Sequence, residues 1–140
     1  MQDKRTQIVK QLLVLGAFLQ REASRITLDF GLTQQQFVVL KTIEEMGPLC
    51  QKNICCSLLF EKSNVSKIVK KLEKDKLVVI SQDSQDNRVS SLKVTVKGRN
   101  ILKKGMERFN EWNNSWLEGL SEGEISSALE VLEHLSNIAR

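Results

Sequence analysis

The sequence is short of the residues that staple a secreted fold or build a reaction centre. Three cysteines, Cys50, Cys55 and Cys56, crowd into one short stretch. An odd number so close together is a poor disulfide framework and suits a reducing compartment. The one histidine, His134, stands alone, which excludes the His and carboxylate clusters of a metal centre. Three cysteines on one helix are awkwardly spaced for a soft metal as well. There is no glycine-rich phosphate loop, no pair of catalytic carboxylates with a base and no oriented His-Cys dyad, so neither an enzyme nor a cofactor is expected. The densest apolar run, Leu12 to Leu19, is far below the roughly 18 residues of a membrane span. Met1 to Gln7 is polar and charged, unlike a signal peptide. Repeats, low-complexity tracts and long linkers are missing too. A cytoplasmic protein without a membrane partner is expected.

What is present is 140 residues, read as a single domain, with an uneven charge. The stretch from Leu49 to Gly105 holds 13 Lys and Arg against 5 Asp and Glu, a net +8, while the rest holds 8 against 12, a net −4. A basic middle between acidic flanks fits contact with a polyanion. A solvated lysine-rich surface would give the same count.

Apolar periodicity predicts a long first helix over 6–29, with Ile8, Leu12, Leu15 and Leu19 on a stripe widened by Val9 and Leu13. Phe30-Gly31-Leu32 breaks it. Thr33 to Gln36 reads as a capping box for a second helix that buries Phe37, Leu40 and Ile43 and ends at Gly47-Pro48. A short third helix, 51–59, turns Ile54 and Leu58 inward, with Cys55 beside them. A fourth, about 62–75, places Val65, Ile68, Val69 and Leu72 on one face. Leu77 to Ile80 and Val89 to Val96 read as two strands joined by the polar turn Asp83 to Arg88. Such a ribbon is marginal alone and must pack on the helices before it. A fifth helix follows from about Lys97 to Glu118, capped by Thr95, with Leu102, Met106, Phe109, Trp112 and Trp116 near one face. Ser121 to Glu124 is a second capping box, and the sixth helix behind it is expected to bury Ile125, Leu129, Leu132 and Leu135.

A short helix followed by one with a small, polar, basic outer face is the helix-turn-helix arrangement, whose second helix enters the DNA major groove by its N-terminal end. The outward residues of that helix are Lys62, Ser63, Asn64, Ser66, Lys67 and Lys70. Ser63 and Ser66 allow close approach, Asn64 can bond a base edge, and Lys67 and Lys70 can reach phosphate or guanine. A basic ribbon tip can lie in the adjacent minor groove, where arginine is favoured.

With these residues in view, "PLCQKNICCSLLFEKSNVSKIVKKLEKDKLV" (48–78) and "DSQDNRVSSLKVTVKG" (83–98) make the chain resemble the multiple antibiotic resistance regulator (MarR) family. The resemblance spans nearly the whole chain. Asp83, Asp86 and Arg88 keep the spacing of the family's wing, and Val94-Thr95-Val96-Lys97-Gly98 keeps its ending, with Val for Leu. It implies a mainly α fold with a small β-hairpin wing. A winged helix-turn-helix DNA-binding lobe would occupy about 33–98, and a helical dimerisation region about 6–29 and 99–140. It implies that Arg88 probes the minor groove and that Asp86 orients it, whereas by themselves the two could simply pair across a surface turn. Ser84, Gln85 and Asn87 stand where relatives carry more arginine, which weakens phosphate attraction and leaves more to Arg88. Asp75-Lys76 stands where a glycine commonly closes the recognition helix, so Lys76 is expected to take a left-handed conformation at some cost, or the helix closes differently.

The resemblance further implies a bacterial homodimeric repressor on a pseudo-palindromic double-stranded DNA operator, released by a small aromatic or phenolic ligand or by thiol oxidation. The apolar faces of the first, fifth and sixth helices suffice for a dimer, although each residue could equally belong to the core of one chain. No cysteine stands in the first helix, where peroxide-sensing relatives keep theirs, so any redox role falls to Cys50 or Cys56. Cys50 lies where relatives often place a helix cap, near a positive helix end. The competing reading is a winged-helix protein-interaction module without specific DNA binding. An apolar or acidic outer face on the fourth helix would have favoured it.

Overall fold

The computed structural model describes residues 3–82 and 90–140. Its elements run α1 (Lys4–Thr27), a 3-10 turn (Leu28–Phe30), α2 (Gln34–Met46), α3 (Gln51–Leu58), α4 (Lys62–Lys74), β1 (Val78–Gln82), β2 (Ser90–Val94), α5 (Val96–Trp116) and α6 (Glu122–Ala139). This is the mainly α fold with a two-stranded hairpin read from the sequence.

The core lies in the middle of the chain. Leu32, Phe37, Val39, Leu40, Ile43, Ile54, Val65, Val69, Leu72, Leu77, Val78 and Leu92 are all buried in one cluster. Of α1 only the last turns enter it, through Ala23, Ile26 and Thr27. Gly31, at φ 74°, then turns the chain into α2 in a conformation that glycine adopts without steric cost. The capping box forms as expected: Gln36 N–H donates to Thr33 Oγ1 at 3.1 Å, and Thr33 N–H donates to Gln36 Oε1 at 3.0 Å.

The hairpin is antiparallel, with Val78 opposite Val94 and Ile80 opposite Leu92 facing inward. It does not stand alone. Leu92 N–H donates to Leu49 O at 2.9 Å, and Leu49 N–H returns a bond of 3.4 Å. The segment entering α3 therefore acts as a one-residue third strand, which answers the marginal stability of an isolated ribbon.

The α4–β1 turn is the left-handed closure anticipated for Lys76, which has φ 62°. Leu77 N–H donates to Leu72 O and Lys76 N–H to Glu73 O, both at 2.9 Å, the bond pair of a Schellman motif. Lys97 Nζ, donating to Asp75 O at 3.1 Å, and Thr95 Oγ1, donating to Lys76 O at 2.7 Å, hold the turn from outside. A side chain in this conformation costs about 1–2 kcal/mol. Lys76→Gly is accordingly expected to stabilise the fold by about 1 kcal/mol after its greater unfolded-state entropy is counted. Urea unfolding at one fixed protein concentration checks this, and a destabilised variant would show that the lysine side chain contributes more than its backbone costs.

Three sequence expectations need correction. Val96 is not the end of a strand but the first residue of α5, 70% exposed. Thr95 ends the pairing by accepting the Gly98 N–H at 3.1 Å as N-cap. The first helix is α only to Thr27 and closes through the 3-10 turn. The sixth helix buries nothing within the chain: Ile125, Leu129 and Leu132 are exposed and Leu135 is half-buried.

Candidate nucleic-acid interface

Helix α4 is fixed by its inner face and read from its outer one. Val65, Ile68, Val69 and Leu72 are buried, and their spacing leaves the remaining arc to solvent. Helix α3 packs across it, seated by Ile54 and half-buried Leu58 and Phe60. Leu59 turns the chain between the two helices at φ 58°. Lys62, Ser63, Lys67 and Lys70 are exposed. Among the described residues none of these lysines has a carboxylate partner, whereas Lys71 on the flank is paired with Asp75 at 3.0 Å. Among the described residues, three cations spread along the outer face of α4 are thus without an acidic partner.

Two of the expected residues sit differently. Asn64 and Ser66 are half-buried rather than fully outward. Asn64 Nδ2 donates to Gln35 Oε1, 3.0 Å away in the first turn of α2. The sequence offers no local signal for this contact, since the two residues lie 29 positions apart. The wing residues Asp86 and Arg88, with Asp83, lie outside the described residues. The last described pair before them is Gln82 opposite Ser90, on the hairpin that starts where α4 ends.

Cys50 is the N-cap of α3. Its thiol donates to Asn53 Oδ1 at 2.8 Å, and its N–H reaches the same oxygen at 3.4 Å. Cys50 and Cys55 are half-buried, Cys55 packing against the core, and Cys56 is exposed. His134 is exposed on α6. Among the described residues no helix is long and apolar enough to cross a membrane.

Two concave surfaces flank this lobe. A cleft of about 380 Å³ opens between α1, α2 and α5, lined by Ala23, Phe37, Val38, Leu58, Met106 and Phe109. Lys41 and Glu45, paired at 3.0 Å, lie on its rim. Ion pairs from Arg99 to Glu44 and from Arg108 to Asp29 tie α5 to α2 and to the 3-10 turn. A wider apolar groove of about 870 Å³ runs between the N-terminal half of α1 and α6, lined by Ile8, Leu12, Leu15, Val131, Leu132 and Leu135.

Comparison with known proteins places this geometry. The sequence model of the MarR family matches residues 32–90, the span from just before α2 to the first residue of β2. The uncharacterized HTH-type transcriptional regulator YsmB of Bacillus subtilis (strain 168) is 22% identical over 130 residues, covering 91% of this chain and 89% of its own. Among solved structures, a putative MarR family transcriptional regulator from Listeria monocytogenes, complexed with 26mer DNA, superposes with a TM-score of 0.88 at 23% identity, over 98% of this chain and 89% of the other. An organohalide-sensing transcriptional regulator in its 2,4-dichlorophenol-bound form gives a TM-score of 0.85 at 18% identity, over 98% and 82%.

Proposed function

We propose that this chain is a MarR-family regulator, a sequence-specific double-stranded DNA-binding transcriptional regulator, the family's sequence model matching residues 32–90. We read it as a cytoplasmic homodimeric repressor and not an enzyme. The observation that carries the reading is the outer face of α4: among the described residues, cations without an acidic partner and small polar residues along a helix whose other face is locked in the core. Lys62, Lys67 and Lys70 neutralise phosphates, while Ser63, Asn64 and Ser66 approach base edges in the major groove. Asp86 and Arg88 are assigned to the wing on the motif alone, Arg88 entering the minor groove and Asp86 holding its guanidinium. The Listeria protein crystallised with DNA supports this use of the fold.

The second copy is proposed to cover the groove between α1 and α6, so that residues 6–29 and 99–140 form the dimer body and residues 33–98 form the DNA lobe. A twofold dimer then reads a pseudo-palindrome with half-sites about 10–10.5 bp, or a multiple of it, apart. The cleft between body and lobe suits a small aromatic or phenolic ligand, being apolar with a charged rim, and the dichlorophenol complex of a relative points the same way. Thiol oxidation is a second route to release. Exposed Cys56 is accessible to oxidant, and oxidising Cys50 would remove its thiol bond to Asn53 Oδ1 at the start of α3.

The test is fluorescence anisotropy on DNA from upstream of the protein's own gene, over a salt series, with random duplex as control. Specific binding that falls steeply with salt is expected, and Arg88→Ala should weaken it by about tenfold. A folded dimer that binds neither duplex at low salt would instead indicate a protein-interaction module.

A further inference from the structure

Among the described residues, Asn64 is the α4 residue that has the chemistry to read a base and is also held by another helix. Its Nδ2 donates to Gln35 Oε1 at 3.0 Å. Gln35 is itself placed by the first turn of α2, which the Thr33–Gln36 capping box fixes on either side of it. A primary amide has two N–H donors and a carbonyl acceptor with two lone pairs. One donor is used by Gln35, and Asn64 Oδ1 has no partner among the described residues. One donor and the carbonyl acceptor remain, and adenine presents their complement in the major groove, an N7 acceptor beside an N6 donor. An unheld asparagine could rotate its amide and offer the same two groups to other edges. The contact to Gln35 opposes that rotation: turning the Asn64 amide over alone would set two carbonyl oxygens against each other, so the flip requires Gln35 to turn with it.

We propose that Gln35, on α2, is a specificity-determining positioning residue: it fixes the side-chain amide of Asn64 so that the free edge reads adenine. The assignment rests on the DNA-binding reading above, and it adds a residue outside the helix-turn-helix to the determinants of sequence choice. Gln35 is held to act through Asn64 and not to touch DNA.

The experiment selects duplexes from a randomised pool with the wild-type protein. Anisotropy is then measured for every single base-pair change in the selected half-site, for wild type, Asn64→Ala, Gln35→Ala and Gln35→Glu. Asn64→Ala should flatten the preference at one A·T pair by about tenfold. Gln35→Ala should flatten the same pair to a similar extent, leave binding to random duplex and the salt slope unchanged, and add nothing in the Asn64→Ala background. Gln35→Glu keeps an acceptor for Nδ2 and suits the first turn of a helix. It should retain the preference while weakening binding to all duplexes alike. Retained preference in Gln35→Ala, or a G·C pair at the position governed by Asn64, would overturn the inference and leave the DNA-binding reading standing. Failure of wild type to select any sequence would overturn both.

Discussion

Leu132→Glu is expected to yield a folded monomer that has lost most of its DNA affinity. Helix α6 has no residue buried within its own chain, so a charge there leaves the core of α2, α3, α4 and α5 untouched. In a twofold dimer each substitution occurs twice. Each Leu132 is half-covered within its own chain, so losing two of them forfeits about 2–3 kcal/mol, and two carboxylates must also be desolvated in the apolar groove against Ile8, Leu12 and Leu15. The dissociation constant of the dimer should rise at least about a thousandfold. A monomer holds one half-site and loses the intramolecular second engagement, so operator affinity should fall by about a hundredfold or more. Sedimentation equilibrium and anisotropy on the same samples measure both. A wild-type protein that sediments as a monomer yet binds its operator specifically would end the dimer reading.

The largest effect on the fold itself is expected from Gly98→Ala. A Cβ at Gly98 would overlap the carbonyl oxygen of Leu77 and lie 2.9 Å from Val94 Cγ1. That carbonyl cannot retreat. It accepts the Thr95 N–H at 2.9 Å, and Leu77 is buried at the closure of α4. With backbone rather than a flexible side chain in the way, the substitution should cost about 3 kcal/mol. Gly119→Ala, where an added Cβ meets nothing within 4 Å, should stay within about 0.5 kcal/mol of wild type. Urea unfolding of the two variants at matched concentration makes the comparison. Equal losses would mean that the α4–β1–α5 junction yields more readily than its bonding indicates.

The features legible in the sequence were those set by neighbours along the chain. The capping boxes at Thr33 and Ser121, the stripe Val65, Ile68, Val69 and Leu72, and the stop at Gly47 each follow from residues within a turn or two, and each is found. The left-handed Lys76 was legible because the wing and helix pattern marked that position as one usually given to glycine. Val96 misled because Val94-Thr95-Val96 continues a strand's alternation, and only the hydroxyl of Thr95, accepting the Gly98 N–H, ends it. Leu129 and Leu132 misled for a deeper reason. Periodicity states that a face is apolar, not which chain covers it. Of the α4 face, Lys62, Ser63, Lys67 and Lys70 were placed correctly in the open. The lean of Asn64 toward Gln35 was invisible, since it depends on how α2 and α4 cross.

The bridge between Leu49 and Leu92 has a consequence for the kind of DNA such a protein can tolerate. Because Leu49 leads directly into α3 and Leu92 sits in the returning strand, the hairpin and the helix-turn-helix are joined at their bases like the jaws of a calliper with a seized pivot. The separation of their bases is set by the fold. An operator half-site can change its letters one at a time and be bound more weakly, but it cannot be stretched. One extra base pair between the groove filled by α4 and the groove met by the wing shifts one contact by a rise of about 3.4 Å and a matching turn of the duplex. On the proposed DNA-binding reading, the protein would measure length as strictly as it reads sequence, and drift in its binding sites would be confined to substitutions rather than insertions.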